Sequence, residues 1–283
     1  MAFNANVYKE YSLEIIIMQQ HTNYTNNNVA LNAVTDDNAF YTFKRDPMFT
    51  SILEHVNYKQ GIQYIDYIKT LCKSYNVEFE DLWWNKYIEN DIIGNPITYD
   101  YKDQLIHISD LKTYNISPTT LRYICFGLQL FNIINSTGKK DISIIEVGGG
   151  YGGQCKILSD ICLQFNINIQ KYTIIDLENV SNLQNKYLTK LDVNNIVTLS
   201  NTNCIGLLDN EYDLFISNYA LGEFKSDVQD FYIDNVLSRS NKSFITWNTH
   251  PINPKLKNIN IVEEVPQTGH VAFPNIIITN KDA

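Results

Sequence analysis

The chain has 283 residues, 44% of them hydrophobic and 19% charged, with 19 Tyr, 13 Phe and 3 Trp. That composition supports a sizeable core, one α/β domain with an appendage, and excludes a disordered or fibrous chain. A formal net charge of -9 argues against a nucleic-acid partner, because neutralising phosphates needs clustered Lys and Arg.

The apolar run Ile15 to Met18 follows Glu14 and is too short for a secretory core or a membrane span. A cytoplasmic protein without a membrane partner is expected. Cys72, Cys125, Cys155, Cys162 and Cys204 form no CxxC pair and no zinc spacing, so they read as reduced, buried, small apolar residues.

The first third lacks strand alternation. Ile62, Ile65, Ile68 and Cys72 recur every three or four residues and predict a helix. The segment NDIIGNP, residues 90 to 96, breaks the pattern with a turn. Ser117 then stands as an N-cap and Pro118 as the first helical residue, before the apolar stripe Leu121, Ile124, Leu128 and Phe131. Gly138 sits where a C-terminal cap belongs.

Beyond it, Ile142 to Val147, Tyr172 to Ile175, Ile196 to Leu199, Asp213 to Ser217 and Ser243 to Trp247 read as buried parallel strands, with a helix over Asp227 to Leu237. Two last strands, Ile259 to Val265 and Phe273 to Thr279, leave no room for a crossover helix and are expected to be antiparallel neighbours. The predicted fold class is α/β: a Rossmann-like seven-stranded sheet, mostly parallel with a C-terminal antiparallel hairpin, preceded by a helical N-terminal region. The expected division places the helical region at 1–115, for lid, acceptor or oligomer contacts including a homodimer, and the sheet domain at 116–283.

The loop IIEVGGGYGGQ puts an acid at the end of the first strand and five glycines before a helix, the arrangement of a chain that turns sharply against a bound cofactor. Gly148, Gly150 and Gly153 also satisfy the dinucleotide fingerprint, and Asp176 after the second strand suits ribose in either case, so the spacing alone does not decide. Three features favour S-adenosylmethionine over NAD. Glu146 can receive the amino group of a methionine moiety, the loop lies midway along the chain, and the sheet ends in a hairpin. The expected cofactor contacts are Glu146, Gly148, Gly149, Gly150, Tyr151, Gly152, Gln154, Asp176, Leu177, Asn203 and Asn218. Asp176 has an alternative as an N-cap, and Asn203 as a polar loop residue.

The residues also resemble a family of sugar O-methyltransferases, through ILEHV at 52 to 56, NDIIGNP at 90 to 96, SPTTLRY at 117 to 123, EVGGGYGGQ at 146 to 154, YTIIDL at 172 to 177 and SNYALGE at 217 to 223. The resemblance covers most of the chain. It implies methyl transfer from S-adenosylmethionine to a sugar hydroxyl, on a nucleotide sugar or a glycan, in polysaccharide or glycoconjugate biosynthesis. The sequence departs from the family at HVAFPN, which spaces His270 from Asn275 more widely than a compact HPN.

A sugar hydroxyl is a weak nucleophile, so a base beside it helps, His first and then Glu or Asp. Ligands of open α/β sheets lie at the carboxyl ends of the strands. Asn218 and Glu223 follow the fourth strand, Asn248 and His250 the fifth, and His270 the final hairpin; His270, Glu223 and His250 are the candidate bases. Arg122 offers a fork of donors to a diphosphate. His55, Asp91, Asn95 and Tyr123 lie in family-like segments and are expected at the acceptor. No dense carboxylate cluster appears, so no metal is expected.

Overall fold

The computed structural model describes residues 24–80, 82–201, 204–209, 211–249, 251–269 and 274–280. Ile15 to Met18 lie outside the described residues. The N-terminal region is helical, with α1 (Tyr24–Thr35), α2 (Pro47–Ile52) and α3 (Tyr58–Tyr75). Helix α3 starts at a reciprocal cap: the Asn57 side chain accepts the Gln60 N–H while the Gln60 side chain accepts the Asn57 N–H. Its apolar stripe buries Ile65, Ile68 and Cys72 as the spacing predicts, with Ile62 at the margin. One feature lacked a sequence signal: a two-residue ribbon in which Tyr99–Asp100 pairs antiparallel with Asn115–Ile116.

Helix α4 (Pro118–Ser136) begins as expected, with the Ser117 side chain accepting the Thr120 N–H and Pro118 in the first turn. Gly138 follows its end at φ 70°, the left-handed conformation that closes a helix. The main sheet then forms from β1 (Asp141–Val147), β2 (Asn168–Asp176), β3 (Ile196–Ser200), β4 (Tyr212–Asn218), β5 (Ser240–Trp247), β6 (Ile259–Glu263) and β7 (Ile276–Asn280), with α5 (Gly153–Gln164), α6 (Glu178–Lys190) and α7 (Ser226–Asn235) between strands. Its order is β3-β2-β1-β4-β5-β7-β6. The first five strands pair in parallel; β7 runs antiparallel between β5 and β6. The fold class is therefore the one the sequence predicts. Strand β2 begins four residues before Tyr172, where exposed Gln170 and partly buried Lys171 hide the strand from an apolar-run reading.

Alternate residues of the sheet feed two cores. Ile144, Ile174, Leu214 and Phe244 face one side, with α3, α4, α5 and the N-terminal aromatics Phe40, Phe43 and Tyr64. Ile145, Ile175, Phe215 and Ile245 face the other, with Tyr232 and Ile233 of α7. The first cluster runs without a break across residue 115, so the N-terminal helices form a layer on the sheet. All five cysteines are free and buried. Among the described residues no helix is long and apolar enough to cross a membrane.

Candidate active site

A cavity of about 680 Å³ opens at the carboxyl ends of β1, β2 and β4, inside the usual size range of small-molecule sites. Its floor is the glycine loop. Gly148 and Gly150 hold φ of 75° and 56°, and a Cβ on Gly148 would lie 2.1 Å from the Cβ of Ala220. Only glycine lets the chain turn here. The Gly148 N–H donates to the Ile175 carbonyl at 2.9 Å, which fixes the loop to the end of β2.

Asp176 stands at that strand end and lines the cavity. Its oxygens accept from the Leu177 N–H at 2.8 Å and from the Gln184 amide at 3.0 Å, and the same Gln184 amide donates to the Gly150 carbonyl at 2.7 Å. Acid and loop are thus tied through one side chain, two turns into α6. The N-cap of α6 is Leu177, with no side-chain cap bond, so the capping alternative for Asp176 is not realised. Burial pushes the Asp176 carboxyl up to about 7, against the N–H of Leu177, the Gln184 amide and the N–H groups of Gly150 and Gly149.

Glu146 is 1% exposed and does not line the cavity. It accepts the Tyr172 hydroxyl at 2.8 Å, and a Cβ on Gly149 would come within 3.3 Å of its carboxylate, which places it beneath the loop. Direct contact with an amino group of a ligand, expected from its position in sequence, does not fit that placement. Burial pushes its carboxyl up to about 7; the Tyr172 hydrogen bond opposes this and Asp176 adds to it.

Three asparagines complete the wall. Asn201 Oδ1, Asn218 Oδ1 and Nδ2, and Asn248 Oδ1 are buried without hydrogen-bond partners among the described residues, and all three residues line the cavity. Buried polar atoms left unpaired cost about 1–3 kcal/mol each, so such a set on residues of one cavity wall marks the side on which a polar ligand is best placed to supply partners. Asn248 also donates to Glu223 at 2.7 Å. On the hairpin side, Thr268, Gly269 and Asn275 reach the cavity. Buried Glu264 ties Thr268 and Asn275 together, accepting from the Thr268 hydroxyl at 2.7 Å, from the Asn275 amide at 2.8 Å and from the Tyr219 hydroxyl. Tyr219 holds a φ of 67°, in the left-handed region, where its N–H reaches the Thr246 hydroxyl at 2.8 Å.

The N-terminal layer supplies the roof through Phe49, Ile52, Leu53 and His55. Leu53 lies over the loop, with its Cδ1 3.2 Å from where a Gly150 Cβ would be. Two carbonyls where α2 ends are taken by side chains: Ile52 O pairs with His55 Nδ1 at 2.9 Å and the capping Leu53 O accepts from Arg122 Nη2 at 3.0 Å. Desolvation, then the Arg122 charge, holds the His55 imidazole below its ordinary value, while the Ile52 hydrogen bond and Glu264 oppose.

The sequence-derived acceptor set divides. His55 lines the cavity. Arg122, 3% exposed, lies behind the roof, its Nε and Nη1 without partners among the described residues and its guanidinium 5.7 Å and 5.8 Å from the ring centres of Tyr123 and Tyr219. Asp91 is spent on the start of α4, accepting from the Ser117 N–H, the Ser117 hydroxyl and the Thr120 hydroxyl at 2.7–2.8 Å. Asn95 is an exposed turn residue at φ 50°. Tyr123 is buried against Tyr151.

Of the cofactor set, Gly148, Gly150, Asp176, Leu177 and Asn218 line the cavity. Tyr151 turns into the helical layer, its ring 4.2 Å from the buried Lys44 ammonium, and Gln154 donates to the Tyr123 carbonyl at 3.2 Å. Gly149 and Gly152 serve the turn, packed against Ile174 and Leu188. Asn203, His250 and His270 lie outside the described residues. Asn201, Gln184 and Thr268 escaped the sequence reading. Asn201 had a signal, as the first residue after β3. Among the described residues no group of three or more His, Cys, Asp or Glu is placed to hold a metal ion.

No protein-family model matches the chain, and no curated protein does. Solved structures are similar at low identity. The magnesium protoporphyrin IX methyltransferase of Synechocystis PCC 6803, with bound SAM, shares 14% identity over 56% of this chain and 81% of its own, at a TM-score of 0.39. TrmK of M. capricolum, in complex with S-adenosyl-homocysteine, shares 16% over 54% and 68%, at 0.37. The methyltransferase domain of METTL16 shares 11% over 63% and 76%, at 0.43.

Proposed function

We propose that this chain is an S-adenosylmethionine-dependent O-methyltransferase whose acceptor is a sugar hydroxyl, on a nucleotide sugar or a glycan, in polysaccharide or glycoconjugate biosynthesis. The observation that carries the reading is that the Gly148–Gly150 turn and Asp176 share one cavity wall with Asn201, Asn218 and Asn248, whose side-chain oxygens lack partners among the described residues. Sheet order and cavity, rather than any single likeness to a solved structure, support it.

In this reading Asp176 takes the ribose hydroxyls, the backbone of Gly148 and Gly150 lies against the methionine portion, and Asn201 borders the base. When bound, the cofactor supplies an electrophilic methyl group on a sulfonium. The protein's task is then to orient an acceptor oxygen in line and to exclude water. Asn248, held by Glu223, and Thr268 with Asn275 present amide, hydroxyl and carboxylate groups suited to an acceptor rich in hydroxyls. An NAD site is disfavoured, since a dinucleotide-binding sheet continues its parallel order with further βαβ units, whereas β7 here runs antiparallel.

The test is transfer of a tritiated methyl group from S-adenosylmethionine to a panel of UDP-sugars, methyl glycosides, phenols and carboxylic acids. Label in a base-stable methyl ether of a sugar is expected. Transfer confined to the phenols or acids would remove the sugar acceptor and keep the enzyme class.

A further inference from the structure

We propose that His55 is the general base of the reaction, presenting Nε2 to the acceptor hydroxyl while its Nδ1 is held by the Ile52 carbonyl. This rests on the methyl-transfer reading above and names the residue that removes the proton.

A backbone carbonyl only accepts, so the 2.9 Å contact at Nδ1 fixes the hydrogen there. The lone pair is then on Nε2, which among the described residues has no hydrogen-bond partner, and the ring borders the cavity. Among the described residues the two carboxylates of the cavity are hydrogen-bonded. Asp176 is held by Leu177 and Gln184, and Glu223 holds the Asn248 amide. Desolvation and then Arg122, from α4, disfavour the imidazolium, while the Ile52 hydrogen bond and Glu264, beside the hairpin, oppose them. Arg122 is also anchored on the next carbonyl, Leu53 O, so one turn of chain holds both the imidazole and the guanidinium near it. The position is legible in the architecture: the helical layer supplies the face of the cavity opposite the sheet.

In the step itself, His55 Nε2 takes the hydroxyl proton as the acceptor oxygen forms its bond to the methyl carbon. The carbon–sulfur bond breaks, and its electron pair stays on sulfur as the neutral thioether. The His55 imidazolium then releases the proton to solvent, so one proton is produced per methyl transferred.

The test uses the full chain. With 15N-labelled histidine, the signal assigned to His55 by its loss in His55→Gln is expected to show the Nδ1–H tautomer at pH 8 and to titrate below the ordinary histidine value; an Nε2–H tautomer overturns the proposal. His55→Gln and His55→Ala are expected to keep S-adenosylhomocysteine affinity within about threefold. They should lower methyl transfer to the sugar that the wild type uses by about 10²–10⁴-fold. The acid limb of the pH–rate profile should vanish, and added imidazole should restore His55→Ala in part. Wild-type rate in both variants, or the same loss on His250→Ala or His270→Ala with His55→Ala unaffected, overturns the assignment. Failure of the wild-type chain to bind S-adenosylhomocysteine is a different result and removes the methyl-transfer reading itself, leaving the tautomer measurement standing.

Discussion

The two faces of the cavity are built by different means. The sheet face is local in sequence: within residues 146–154 and 172–177 the strand ends, the turn and the acid arrive together, and the backbone of β1 and β2 sets their spacing. The roof is long-range. Leu53 and His55 reach the cavity because α2 packs on the helical layer, about a hundred residues away from the loop they cover. Much of the turn and its acid can thus be written into two short segments, while the side chains that cover them depend on how a separate layer docks.

The largest effect is expected at the turn. Gly148→Val adds a branched side chain at φ 75° against Ala220, which should destabilise the chain by about 2–4 kcal/mol and abolish S-adenosylhomocysteine binding in calorimetry. A variant that binds normally would break the claim that the sheet face is fixed by the turn.

Next is Asp176→Asn, which keeps shape and removes charge. Affinity for S-adenosylhomocysteine should fall about 10- to 100-fold. Because burial sets the wild-type carboxyl at about 7, wild-type affinity should weaken as pH falls below that value, by at most about tenfold per pH unit, and the variant should lose that dependence.

Glu146, beneath the same loop, separates structure from binding. Its folded value of about 7 lies above its ordinary 4.5. The carboxyl therefore contributes most to stability below the unfolded value, and that contribution is lost as pH rises through about 7. Glu146→Gln should leave affinity within a few-fold and stabilise the chain relative to wild type by about 1–3 kcal/mol at pH 8. The difference should vanish near pH 4, as read from denaturant unfolding.

The smallest effect sharpens the contact between the faces. Gly150→Ala should cost about 1–2 kcal/mol, since the residue sits at φ 56° under Leu53. Adding Leu53→Ala should recover about 0.5–1 kcal/mol of coupling in a double-mutant cycle. Strict additivity would mean that the roof does not rest on the loop.

Much of the sheet was legible because its strands are apolar runs closed by glycines or polar residues, and the terminal hairpin because the stretch between the last two apolar runs is too short to hold a crossover helix. Asp176 was legible for the same reason, as the polar residue that ends an apolar run. Glu146 was found but misplaced: the sequence puts it at the strand end, and only the alternation of the strand and the Tyr172 hydroxyl show that it points under the loop. Asp91 and Asn95 lie in a family-like segment, yet their side chains and backbone serve the start of α4 and a turn. Gln184 and Leu53 carry no local signal, since their roles exist only once α6 and α2 have packed against the glycine loop.

Calorimetric titration of the wild-type chain with S-adenosylhomocysteine and, separately, with NAD tests the cofactor assignment most directly. Saturable one-to-one binding of S-adenosylhomocysteine, much weakened in Asp176→Ala, with no heat from NAD, is the expected result. Binding of NAD instead, or of neither ligand, would contradict it.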